Sequence, residues 1–360
     1  MSGPVRRYDS LMRTLILCLA SALFVVGCGD DPPDLSVYFK AKPYANPACN
    51  SVDQRLAGER EMHLFFNGSV ALAETTQGLA SYYARHSLSF FTNTAPQATT
   101  MSYALDTDMI TLALALTKQF PGVDFSDEAA LMAMDPVLYN QVVVFVANFV
   151  LRPMVEFTKA HSDGGITVTN LLVIPNLERP GGASVGGPGM TLAGLSISPA
   201  LLGQFAISMP SEAQIWQGVD VPAAFTPIMV LGDTVLKQGR SFDPVLDDIV
   251  TAHEFGHSGA LIHSAVPRNL MYPSATPGLD DCTDGLDDAQ LTLMASTLGV
   301  GTSAARGALL AGAGGPTAAP SGSPSRLPTS FTRDRLRALL AGDGPAMRSF
   351  VETLFHGAAF

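Results

Sequence analysis

His253, Glu254 and His257 stand as His-Glu-x-x-His, and His263 follows six residues after His257. Histidines four apart lie one above the other on one face of a helix, so both imidazoles can reach one ion. Glu254 projects about 100° further round the axis, near enough to handle a proton without taking a ligand place. Three neutral nitrogen ligands, His253, His257 and His263, leave a fourth position for water, which is the open coordination of a catalytic metal. A general base beside such a centre is the equipment of hydrolysis. Two blander readings use the same residues: histidines packed in a core, or a closed structural site. An aspartate from Asp280–Asp288 could also replace His263 as third ligand.

A helix has to carry the first three of these residues. Asp243-Pro244 is a good helix start, with Asp as N-cap and Pro at the first helical position, and Val245, Leu246, Ile249 and Val250 give a core face. Upstream, Ile166–Ile174, Met190–Ser198 and Pro227–Leu236 read as strands. The glycine-rich run 180–189 between them lacks the Lys-Ser/Thr of a phosphate loop and reads as a loop. Residues 54–162 read as mostly helical. Leu56, Met62, Phe65, Phe66, Val70, Leu72 and Leu79 have helical spacing, Tyr103–Phe120 and Glu128–Lys159 continue it, and Pro153 should kink the last helix. The run Val142–Val146 is β-branched enough for a strand, but helix is the preferred reading. Residues 300–330 are an Ala/Gly/Ser/Pro-rich linker, and 331–360 a C-terminal helical segment.

The chain has 360 residues, a formal charge of -11 and 47% hydrophobic residues, ample for a buried core. The acidic balance argues against a nucleic-acid partner. Residues 1–27 have the order of an export signal: Arg6, Arg7 and Arg13, then the short apolar run Thr14–Val26. The run ends in Val25-Val26-Gly27-Cys28, which resembles a bacterial lipoprotein signal. That resemblance implies cleavage before Cys28, acylation of Cys28, and anchoring to a lipid bilayer. The implied location is a bacterial membrane, the outer one by analogy, facing the periplasm or the surface. Loss of Arg6, Arg7, Arg13 and Asp9 lowers the formal charge by two, from -11 to -13, so lipid rather than electrostatics must hold the membrane. Residues 28–53 read as a Pro- and Asp-rich tether.

The segment 253–273, HEFGHSGALIHSAVPRNLMYP, resembles the active-site segment of metzincin zinc proteases, and most of all the matrixin (matrix metalloproteinase) type. The family pattern is H-E-x-x-H-x-x-G-x-x-H, then a tight turn with a methionine under the metal. His253, His257 and His263 match the zinc ligands, Glu254 the general base and Met271 the Met-turn residue. Tyr272 matches a structural tyrosine, residues 274–286 the loop that shapes the substrate pocket, and Asp287–Gly299 the last helix. The likeness is close over about 50 residues and loose over 163–299. One position departs from it: Ala260 stands at the family's glycine, after Gly259. Ala in a left-handed conformation costs about 1 kcal/mol, and Gly259 could instead end the helix one residue early, which bears on where His263 falls.

The resemblance implies an α+β fold. A metzincin-like domain, 163–299, would hold a twisted mixed sheet, an active-site helix and a Met-turn, behind the mostly helical region. Its first long helix could come from Asp135–His161. The implied activity is a Zn2+-dependent endopeptidase acting on protein or peptide, with Glu254 activating water at the metal. The alternative is a non-catalytic surface lipoprotein that uses a structural or inactivated zinc site for binding. Cys49 and Cys282 are left to form a disulfide or, on the faint likeness of Pro47-Ala48-Cys49 and Asp53 to a cysteine switch, to let Cys49 block the metal. Asp280, Asp281, Asp284, Asp287 and Asp288 could bind Ca2+ or form a solvated acidic loop.

Overall fold

The computed structural model describes residues 34–105, 108–179, 192–242, 245–273 and 285–301, with Leu336, Arg337 and Leu340. The export signal, Cys28, the glycine-rich run 180–189, Asp243-Pro244, Cys282, Asp280, Asp281, Asp284 and nearly all of 302–360 lie outside them, as does the side chain of Cys49.

One sheet organises the described chain. Its strands are β1 (Gly58–Phe66), β2 (Leu88–Phe91), β3 (Gln97–Ala98), β4 (Val168–Ile174), β5 (Gly194–Ile197) and β6 (Ile228–Gly232), in the order β2-β1-β4-β6-β5, with β3 also paired to β1. All pairings are parallel except β5 with β6, which is antiparallel. The fold is thus mixed α and β with a mostly parallel sheet. Every residue of β4 and β6 is buried, as expected of parallel strands covered on both faces. Alternation sorts their side chains into two cores. Leu172, Ile174, Ile228 and Val230 enter one, whereas Leu171, Val173, Met229 and Leu231 enter the other.

Helices cover both faces. The first core is roofed by α4 (Pro136–Ala160), whose Asp135 accepts from the N–H groups of Val137 and Leu138 and whose Pro136 sits in the first turn. Val142, Val143 and Val146 stay helical because they are buried there, and Pro153 lies within the helix without ending it. The same core takes α2 (Met109–Gln119), α5 (Pro199–Ser208) and Leu336, with α3 (Glu128–Ala133) alongside. The second core is made by α1 (Leu72–Ala84), α8 (Leu246–Ser258) and α9 (Asp288–Leu298). α6 (Pro210–Gly218) joins the first core through Ala213 and Trp216, and α7 (Asp233–Phe242) the second through Val235 and Leu236.

Two expected elements are corrected. Gly58–Phe66, given helical spacing above, is a strand flanked by β4 and β2; Arg60, Met62 and Leu64 alternate inward, a period the helical count also tolerated. The strand expected over Pro227–Leu236 stops at Gly232, and Asp233 opens α7 with its carboxylate accepting from Ala71 N–H at 3.0 Å and pairing with Lys237 at 2.6 Å. Residues 35–50, taken as tether, lie against α1: Lys42 N–H donates to Ser81 Oγ at 2.9 Å, and Phe39 stacks on Phe90.

Candidate metal centre

His253, Glu254 and His257 sit on α8, which is buried along nearly its whole length, and His263 lies beyond its end. Phe255 points away from them into an edge-to-face group with Tyr83 and Phe90, at ring separations of 5.2 and 5.0 Å. Tyr83 donates its hydroxyl to Ala252 C=O at 2.9 Å, so α1 grips α8 by both packing and a hydrogen bond. That contact fixes the rotation of the helix and hence where its histidines face.

His253 and His257 are almost wholly buried and His263 is half-buried. Among the described residues, these three form a group of side chains that could hold a metal ion, their ligand atoms all within 4.8 Å of one another. His257 Nε2 is 3.1 Å from His253 Nε2, which is 3.2 Å from His263 Nε2. On the far side of each ring, His253 Nδ1 meets Leu270 C=O at 2.7 Å and His257 Nδ1 meets Leu261 C=O at 2.6 Å. A carbonyl can only accept, so both Nδ1 atoms carry the proton. In the neutral rings both Nε2 lone pairs then face each other at close range, an arrangement that repels unless a cation lies between them.

The chain reaches His263 through Ala260, which takes the left-handed conformation at φ 69°. Gly259 caps the helix at φ −83°, so the early ending open to it is not used for the left-handed step. Leu261 N–H then bonds Gly256 C=O at 3.1 Å, and its own carbonyl is the one that holds His257. Met271 is fully buried against Gly256 of α8, and its carbonyl accepts from Ser264 N–H at 2.8 Å. Gly256 makes this approach possible, since a Cβ there would lie 2.5 Å from Met271 Sδ.

Glu254 is fully buried beside the start of β5, where a Cβ on Gly194 would lie 2.5 Å from its Oε1. Gly194 leaves no signal in the sequence beyond being one glycine among 33. Ser198 was read only as a strand end, yet it caps α5 and donates to His257 C=O at 3.2 Å. Its Ser-Pro start was legible as a helix signature. Asp287 and Asp288, considered for Ca2+, are engaged otherwise: Asp287 caps α9, and Asp288 pairs with Arg55. At the amino end of α8, Asp247 pairs with Arg240 at 2.6 Å. Burial, with Asp247 as neighbour, pushes the Asp248 carboxyl up to about 8, against the lowering effects of Tyr44, Lys42 and Arg240.

No protein-family model matches the chain, and no curated protein sequence matches it. Fold and site define a mixed α/β protein in which His253 and His257 of a buried helix, with His263 just beyond its end, could form a metal site.

Proposed function

We propose that the chain is a zinc endopeptidase of metzincin type, most like the matrixins, exported and held at a bacterial membrane by lipid on Cys28. One observation carries the reading: three imidazole nitrogens converge on one point while the outer nitrogens of His253 and His257 are spent on carbonyls. The donor set suits zinc. At Zn–N distances of about 2.0–2.1 Å, neighbouring ligands of a tetrahedral site stand about 3.3 Å apart. Two of the three nitrogen separations, 3.1 and 3.2 Å, lie close to that edge.

His253, His257 and His263 would hold the ion. Zinc bound there supplies a Lewis acid that polarises a carbonyl and makes water acidic near neutral pH. Everything else falls to the chain. Leu270 and Leu261 carbonyls keep both helical imidazoles in the tautomer that presents Nε2. Met271 floors the site with apolar volume and keeps water from the ligands' underside. Glu254 takes a proton from the attacking water and returns it to the leaving amine, so that peptide plus water balances to acid plus amine. Its burial against Gly194 limits its motion, so proton and acceptor meet in one geometry.

The decisive comparison sets wild type against Glu254→Ala on a library of unfolded proteins, with zinc content measured in both. Cleavage by wild type alone, at equal zinc content, supports the peptidase. Equal lack of cleavage sinks it and leaves a binding protein with a metal centre.

A further inference from the structure

The peptide joining Leu270 to Met271 is held at both polar ends. Its carbonyl accepts from His253 Nδ1–H at 2.7 Å, and its N–H donates to Asn269 Oδ1 at 2.9 Å. A trans peptide is planar with its C=O and N–H opposed, so holding the N–H sets the aim of the carbonyl. A bond to the N–H also polarises the peptide and strengthens the carbonyl as an acceptor. Asn269 thus acts on the His253 ring through one peptide plane, without touching it.

Asn269 is in turn held by Gln290 of α9. The two carboxamides meet head to head, Asn269 Nδ2 donating to Gln290 Oε1 at 2.8 Å and Gln290 Nε2 donating to Asn269 Oδ1 at 3.1 Å. Either amide could be flipped if it stood alone. Neither does. Asp287 N–H donates to Gln290 Oε1 at 3.0 Å in the capping box of α9, and Met271 N–H donates to Asn269 Oδ1. Backbone N–H groups only donate, so each fixes which end of its amide is oxygen. The two assignments agree, and the head-to-head pair is the one arrangement that satisfies both. Asn269 is buried, so the acceptor it gives Met271 is not replaced by bulk water when lost.

We infer that Asn269 and Gln290 are positioning residues of the three-histidine centre: they transmit the orientation of the α9 cap to the Leu270 carbonyl, which holds His253 as the Nδ1–H tautomer with Nε2 turned inward. This rests on the metal-centre reading above but not on peptidase activity. It makes the first turn of α9 part of the metal site, although no residue of α9 is a ligand.

The test uses the full chain and two readouts: zinc affinity by competition with a chelating dye, and the visible absorption of the cobalt(II)-loaded protein. Asn269→Ala should lose about 10- to 100-fold in zinc affinity and change the cobalt spectrum, the cost typical of an outer partner of a metal-ligating histidine. Asn269→Asp keeps an oxygen for Met271 N–H and should recover most of the affinity. Gln290→Met should fall between them. Asp135→Ala removes the cap of the remote helix α4 instead, and should lower stability while leaving the cobalt spectrum unchanged. A folded Asn269→Ala chain with wild-type affinity and spectrum overturns the positioning role while leaving the metal centre standing. If that variant does not fold, Gln290→Met decides by the same two readouts. A wild type that binds neither metal removes the metal centre and this inference with it.

Discussion

Glu254 and Asp248 are acids of one helix set in opposite circumstances. Glu254 is the general base of the proposed peptidase, and Glu254→Gln keeps its shape while removing its basicity. We expect this variant to retain metal and lose peptide hydrolysis by about 10²- to 10⁴-fold, the usual contribution of a positioned acid–base group, measured as kcat/KM on a peptide that wild type cleaves. Asp248 works on stability. Folded, it keeps its proton until about pH 8, pushed there by burial and by Asp247; unfolded, it releases it near the ordinary carboxylate value. Between those values the folded chain binds the extra proton, so this group's contribution is fullest at the acid end and declines as the pH rises through the window. Urea midpoints at about pH 5 and about pH 8.5 should show that decline in wild type and a smaller one in Asp248→Asn. A variant with the full wild-type slope would assign the decline to other groups.

Elements meet the centre through close approaches. Gly256 lets α8 lie on Met271, and a methyl there would need a sulfur now 2.5 Å away to move. Gly256→Ala should therefore cost about 1–3 kcal/mol as an overpacked site and weaken metal binding, read by denaturation and by dye competition. Ala260 tests the opposite case. Its φ of 69° costs a non-glycine residue about 1–2 kcal/mol, offset in part by the freer unfolded chain that glycine brings. Ala260→Gly should stabilise by about 0.5–1 kcal/mol at an unchanged denaturant slope, with His263 still a ligand. A sharp turn here was implied by the resemblance, whose pattern has glycine at this position; that Ala260 itself adopts it, with Gly259 remaining as the cap, depended on the contacts around Leu261 and His257. Gly58–Phe66 shows the converse. Its apolar positions fit two periods, and the choice between them came from β4 and β2, residues far along the chain.

At the scale of the molecule, the sheet draws β1 and β4 from either side of residue 163 and buries them together, with the metal helix on one face and the long helix Pro136–Ala160 on the other. That long helix has the length and hydropathy of a membrane span, yet much of it packs in the first core. The membrane attachment proposed above is instead the lipid on Cys28. Labelled palmitate should enter the wild-type chain and not Cys28→Ala, and the variant should leave the membrane fraction. Labelling of both chains alike would reject the lipid anchor.

The grouping of His253, His257 and His263 was legible because metal ligation depends on residue type and on local spacing, both of which a helix and a tight turn convert directly into geometry, whereas Met271 was marked only by the resemblance. The capping box at Asp287–Gln290 and the Asp135-Pro136 helix start carry local signatures of the same kind, although the reading of the sequence used neither. What the tertiary structure alone decided involves partners remote in sequence: Gly194 beside Glu254, Tyr83 against α8, and Gln290 paired with Asn269. No local pattern marks such residues, because each is defined by the surface it meets, and that surface exists only once the sheet has brought β1, β4 and β6 together beneath the helix.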